Sequence, residues 1–277
     1  MVQVSVAGQQ YYMDGVLQQN LDLAKKTIRK DMDFPFLIDG RERSGKSVFA
    51  MQIAKYCDPT FDMSRVCFTP GEFKRAVLKA EKYQAVVYDE AYTGLSSRGT
   101  MSLINKTLIG LLAEIGQKNL FVIVVMPTFF DLDKYAALWR SQGLFHVYMG
   151  DNFERGFFKF FGYEKKLRLY VDGKKTYNYR LVRPDFSGRF TNHYVLDEAE
   201  YREKKRKSLM ARDKGREAEE GNRQAKEELL LRLVEAGHGI SVKDKARLLG
   251  VTEQTYWWKV RKLKGEVAEN AEEKEES

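Results

Sequence analysis

The sequence predicts an α/β core built on a parallel sheet, followed by a small antiparallel β-meander and a C-terminal all-α helix-turn-helix. Three observations carry that expectation. Short runs of Val, Ile and Phe alternate with helical patterns between residues 34 and 150, as in strands buried on both faces. A glycine-bearing octapeptide joins the first of these runs to a helix. Beyond residue 237, a helix with small residues, a glycine and a second amphipathic stretch follow one another in helix-turn-helix order.

Taken in order, residues 1–33 read as an N-terminal helical segment, with a helix over 16–30 whose apolar positions are Leu17, Leu21, Leu23, Ala24 and Ile28. The core over 34–150 has strands at 36–38, 65–68, 85–88, 121–126 and 144–149. Helices fall at 48–56, 71–80, 103–115 and 132–139. Residues 151–194 change texture. Phe157, Phe158, Phe160, Phe161, Leu167, Leu169 and Tyr170 come in short runs, and Asp172-Gly173 reads as a hairpin turn, which gives the β-meander. Residues 195–237 form a charged helical connector, flexible around Gly215 and Gly221. The helix-turn-helix spans 238–264, and the acidic tail 265–277 lacks a periodic apolar face and is expected to be disordered.

Composition narrows the function classes. The chain has 277 residues and a formal charge of +8, which favours an anionic partner. Cys57 and Cys67 are too few for a disulfide scaffold or a zinc site, so reduced structural thiols are expected. No secretory signal is read at residues 1–10, and the longest apolar run, 121–126, is a strand's length rather than a bilayer span. The expectation is a cytoplasmic protein without membrane insertion.

The octapeptide Gly40, Arg41, Glu42, Arg43, Ser44, Gly45, Lys46 and Ser47 matches G-x-x-x-x-G-K-[ST]. It lies between a buried strand and a helix N-terminus, where backbone N–H groups can turn toward phosphate oxygens. Lys46 can reach the β- and γ-phosphates, and Ser47 can offer its hydroxyl to Mg²⁺. The pattern predicts a P-loop NTPase core that binds ATP and Mg²⁺.

Such a loop needs an acidic partner. The strand over 85–88 ends in Asp89-Glu90. Asp89 is the metal-side acid and Glu90 the base that orients water. The strand over 121–126 ends in Pro127-Thr128, which makes Thr128 a sensor of the γ-phosphate. Arg98 and Arg140 are the arginines that could meet charge developing in the transition state, within the chain or across a subunit boundary. The tetrapeptide Asn105-Lys106-Thr107-Leu108 lacks the aspartate of guanine-reading sites, so adenine is the expected base.

At the C-terminal end, Ala246, Leu248 and Leu249 belong to a short helix, Gly250 makes the turn, and Thr252 caps the next helix. Tyr256, Trp257, Val260 and Leu263 are expected on its apolar side. Thr252, Glu253, Gln254, Thr255, Trp258 and Lys259 face outward toward DNA, and Arg261 and Lys262 toward its phosphates. This stretch resembles the helix-turn-helix of Fis-type and resolvase-type DNA-binding domains, with Trp258 where a basic residue is common.

The 40–47 loop, the Asp89-Glu90 strand end and the segment from Val125 through Met126, Pro127, Thr128, Phe129, Phe130, Asp131 and Leu132 to Asp133 together resemble the zonula-occludens-toxin-like branch of the FtsK/HerA group of DNA motors, over residues 34–150. The resemblance implies an additional-strand ATPase core that works as a homo-oligomeric ring and pumps DNA for a virus, plasmid or other mobile element. The chain departs from filamentous-phage members in having no transmembrane segment. Three readings follow. They are a DNA-translocating or packaging motor, an ATP-dependent DNA-bound switch such as a transposition regulator or helicase loader, and a non-enzymatic DNA-binding regulator.

Overall fold

The computed structural model describes residues 2–89, 110, 118–235 and 240–262. They form two compact units, divided between Arg206 and Lys207.

The first unit is organised by a seven-stranded sheet whose apolar runs alternate between two faces. Its strands are β3 (Phe34–Asp39), β4 (Val66–Cys67), β5 (Ala85–Tyr88), β6 (Phe121–Val125), β7 (Gly143–Tyr148), β8 (Phe157–Gly162) and β9 (Phe186–Arg189), in the spatial order β4-β5-β6-β3-β7-β8-β9. The five strands from β4 to β7 are parallel, and β8 and β9 are antiparallel additions at one edge. Phe36 and Ile38 enter one core with Phe121, Ile123 and Val125, while Leu37 enters the other with Val122 and Val124. A period of two along each strand therefore supplies two apolar layers.

Helices cover both layers. On the first lie α1 (Gly15–Thr27), capped by the Asp14 carboxylate on the Val16 and Leu17 N–H groups, and α2 (Lys46–Cys57). On the second lie α3 (Pro70–Lys79), α4 (Lys134–Leu138) and α5 (Tyr163–Gly173). Thr69 and Glu72 start α3 with a reciprocal capping box, and Pro70 stands where no intrahelical N–H is needed. Among the described residues no helix is long and apolar enough to cross a membrane. Cys57 and Cys67 are free and buried.

Three expectations are corrected. Residues 151–194 are not a separate meander. Strands β8 and β9 extend the main sheet, and α5 runs between them, so Asp172-Gly173 ends a helix rather than turning a hairpin. The buried positions Lys166, Leu169, Tyr170 and Gly173 follow the helical spacing of three and four, and a lysine on the apolar side masks it. Residues 1–33 hold more than a helix, because β1 (Val2–Val6) and β2 (Gln9–Met13) form an antiparallel hairpin packed into the first core. Gly215 and Gly221 do not interrupt the connector, since α6 (Glu198–Glu235) passes through both. Apart from Gly110, the helix expected over 103–115 lies outside the described residues, as does the acidic tail.

The second unit has its own small core. Leu230 and Leu233 of α6 pack with Ala246 of α7 (Val242–Leu248), Leu249, and Tyr256 and Val260 of α8 (253–262). Ser241 caps α7, and Gly250 takes φ +65° in the turn that follows. Thr252 Oγ1 accepts the Thr255 N–H at 3.2 Å, the expected cap of α8.

Candidate functional site

The 40–47 loop leaves the carboxyl end of β3, the edge of the sheet where open α/β folds hold ligands. Gly40 has φ +137°, and a Cβ there would stand 1.9 Å from the Val147 carbonyl oxygen. Gly45, at φ +98°, is the N-cap of α2. Between them Arg43 also sits in the left-handed region, at φ 60°. Lys46 opens α2 and folds back, with Nζ donating to the carbonyl oxygens of Gly40 at 2.6 Å and Arg41 at 2.7 Å. Burial lowers its pKa from the ordinary lysine value, opposed by the carboxylates of Asp39 and Asp89. Ser44 is fully buried, and its hydroxyl lacks a partner among the described residues.

Ser47 and Asp89 meet although 42 residues separate them. Ser47 Oγ donates to Asp89 Oδ1 at 3.1 Å. Asp89 follows β5, is 1% exposed, and has its N–H bound to the Cys67 carbonyl at 2.8 Å. Its other oxygen, Oδ2, accepts the hydroxyl of Tyr201 on the first turn of α6. A cavity of about 630 Å³ opens over the loop. Its cationic lining residues are Arg43, Lys46, Arg155, Arg202 and Lys205, against the carboxylates of Glu42 and Asp89. Such a cavity suits a polyanion. Among the described residues there is no cluster of three or more His, Cys, Asp or Glu side chains that would form an all-protein metal cage.

A second polar cluster stands behind the loop. Asp39, the last residue of β3, is fully buried and accepts from the Phe129 N–H at 2.8 Å and from the Tyr179 hydroxyl. His146 Nδ1 lies 2.8 Å from its Oδ1, and the His146 and Tyr179 rings stack at 3.7 Å. The cluster includes Thr128, whose Oγ1 is 3.2 Å from the Tyr179 hydroxyl and accepts the Phe130 N–H at 3.4 Å. Burial beside the Asp39 carboxylate raises the Tyr179 pKa well above the ordinary phenol value.

Sequence reasoning placed Lys46, Ser47 and Asp89, and the structure brings all three to one cavity. Thr128 lies one residue beyond the lining residue Pro127 and belongs to the cluster behind the loop. Arg140 is elsewhere. It follows α4 near the start of β3, with its guanidinium over the Tyr135 ring at 5.5 Å, and it interacts with the Asp33 carboxylate. Glu90 and Arg98 lie outside the described residues. Asp39, His146, Tyr179 and Tyr201 were not foreseen. Asp39 carried the same signal as Asp89, an acid ending an apolar strand, and Tyr201 is the only aromatic residue of α6.

On α8, Thr252, Glu253, Gln254, Trp258, Arg261 and Lys262 are exposed, and Thr255 and Lys259 are half-buried. Trp257 does not join the apolar side as expected. It is 48% exposed, beside Trp258 at 62%, because Tyr256 and Val260, four residues apart, already fill the inward face. Leu263 lies outside the described residues.

No protein-family model matches the chain, and no curated protein matches it.

Proposed function

We propose that the chain is a magnesium-dependent ATPase that acts on DNA, a translocating or packaging motor of a virus, plasmid or other mobile element, working in the cytoplasm as a homo-oligomeric ring. The observation that carries the ATPase reading is the Ser47–Asp89 hydrogen bond at the head of a loop whose lysine is held at its mouth. The position of β6 between β3 and β5 supports it further, because it is the arrangement of an additional-strand core.

In this reading the loop N–H groups and Lys46 bind the β- and γ-phosphates of ATP. Lys46 exchanges the Gly40 and Arg41 carbonyls for phosphate oxygens, and the polyanion favours its charged form. Ser47 and Asp89 would hold Mg²⁺. A hydroxyl and one carboxylate are hard oxygen donors, and they fit an ion that completes its shell with water and phosphate. Bound Mg²⁺ neutralises charge on the transferring phosphoryl group. Glu90 orients the attacking water, and Thr128 reaches the loop through Tyr179 and Asp39. Arg98 or Arg140 acts from a neighbouring subunit.

The outward residues of α8 form the DNA-contacting surface of a helix-turn-helix. Gln254 is suited to base edges, and Arg261 and Lys262 to phosphates. The test is steady-state ATP hydrolysis with no DNA, single-stranded DNA and duplex DNA, with Lys46→Ala as control. A motor gives turnover stimulated by duplex in a length-dependent way and abolished by the substitution. Slow turnover indifferent to DNA points to an ATP-dependent switch. No turnover leaves the helix pair as the working end.

A further inference from the structure

Helix α6 reaches into the phosphate cavity with its first turn, far along the chain from every motif that marks the site. Tyr201 is 4% exposed and donates its hydroxyl to Asp89 Oδ2, while Asp89 Oδ1 accepts from Ser47 at 3.1 Å. Both oxygens of the carboxylate are thus directed by neighbours. The tyrosine is itself fixed by packing. Its ring lies 5.7 Å from that of Phe68 and 6.0 Å from that of Tyr194. Three residues on, Lys204 Nζ donates to the carbonyl oxygens of Met63, at 2.9 Å, and Val66, which ties the same turn to the edge of the sheet. The hydroxyl is therefore presented to Asp89 from a rigid mount.

We propose that Tyr201 is a positioning residue for the metal-side carboxylate. It holds Oδ2 so that Oδ1 stays on Ser47, at the cavity that would take Mg²⁺ and the triphosphate. The proposal rests on the reading of this cavity as an ATP–Mg²⁺ site. Without the Tyr201 hydroxyl the Asp89 carboxylate loses one of the contacts that set its side-chain torsions, and rotation about them costs the bond to Ser47. A hydrogen bond from a buried phenol removes that freedom before the ligand arrives, which is where preorganisation raises affinity.

The test measures binding rather than turnover. A fluorescent ATP analogue is titrated into the full chain with Mg²⁺ and with EDTA, for wild type, Tyr201→Phe, Asp89→Asn and the double variant. Tyr201→Phe keeps the ring and removes the hydroxyl that donates to Asp89. We expect it to weaken binding with Mg²⁺ by roughly tenfold, the usual scale of a hydrogen bond to a charged group, and to leave binding in EDTA within about twofold. In the Asp89→Asn background the same substitution should have no further effect, the signature of two residues acting as one unit. Tyr201→Phe binding the Mg²⁺ complex as wild type does, or more tightly, overturns the proposal, as does additivity in the cycle. Wild type that binds no nucleotide in either condition overturns the ATP-site reading beneath it, and the wild-type titration separates that failure from the other two.

Discussion

Ser47 donates to Asp89 across 3.1 Å although β3, which leads into the loop before Ser47, and β5, which leads into Asp89, never touch, since β6 lies between them in the sheet. The parallel strands end at one edge, so a helix N-terminus and a strand end that are remote in sequence share a single rim. Glu90 follows Asp89 directly. Glu90→Gln should keep ATP affinity near wild type while turnover falls by roughly 10²–10⁴, the contribution of a positioned base. Paired binding and hydrolysis assays read this, and an unchanged turnover number would assign the base elsewhere.

Gly40→Ala should damage both stability and binding. The position has φ +137°, and the added methyl would meet the Val147 carbonyl oxygen at 1.9 Å. Left-handed strain alone costs on the order of 1–3 kcal/mol in a non-glycine residue, and the clash adds to it. A melting temperature within a degree or so of wild type, with nucleotide binding intact, would show that the loop accommodates the methyl.

Gln52 anchors residues 191–193, beside the wall of the site. Its Nε2 donates to the carbonyl oxygens of Thr191 at 2.8 Å and His193 at 2.9 Å, and its backbone carbonyl accepts the Tyr11 hydroxyl at 3.1 Å. Gln52→Ala strands two part-buried carbonyls, a loss of roughly 1–3 kcal/mol. Nucleotide affinity should fall with it, because Asn192 and Tyr194 line the cavity. Denaturant unfolding and nucleotide titration together check the coupling.

Lys166 provides a pH test. It is fully buried in the second core, where Nζ donates to Ser141 Oγ at 2.6 Å and to the carbonyls of Ser141 and Leu138. Burial pushes its pKa down to about 7. Between about pH 7 and the ordinary lysine value near 10.4, the unfolded chain holds a proton that the folded chain has released, so stability rises with pH across that window. Below it both states are protonated and the contribution is flat. Relative to Lys166→Met, wild-type stability should climb by about 1.4 kcal/mol per pH unit above neutrality. Parallel stability curves for the two proteins would show the lysine charged in the fold throughout.

On α8, Arg261→Ala and Lys262→Ala should weaken DNA binding evenly across sequences. Each should reduce the slope of log affinity against log salt by about 1, as the loss of one phosphate contact does. Gln254→Ala should instead relax sequence preference. Salt-insensitive binding would mean that this surface does not face nucleic acid.

Much of the first unit was legible because its strands are continuous apolar runs. Ala85 through Tyr88 needed no context to read as a buried strand, and the loop before Lys46 announced the end of β3. Tertiary decisions were harder. Helix α5 hid behind Lys166, a charge at a core position, and behind an aromatic run that favours strands. The β1–β2 hairpin alternates cleanly, with Val4, Val6, Tyr11 and Met13 buried, but turns at Ala7-Gly8 rather than at a stronger turn dipeptide. Tyr201 carried only a weak local signal, as the one aromatic residue of a charged helix. Its meaning comes from Asp89, 112 residues earlier, and only the fold brings them together.

The placement of α6 and of residues 191–194 before it also fixes when the site comes into being. A growing chain makes Lys46 early, but Gln52 Nε2 gains its acceptors only once Thr191 and His193 exist, and the Tyr201 hydroxyl reaches Asp89 Oδ2 later still. Contacts of such long sequence separation form slowly and late. A fragment stopped near residue 150 would carry the whole glycine-bearing loop with its cavity half built. The wall that Asn192, Tyr194 and Tyr201 give this cavity is thus made only once about three quarters of the polypeptide has been synthesised.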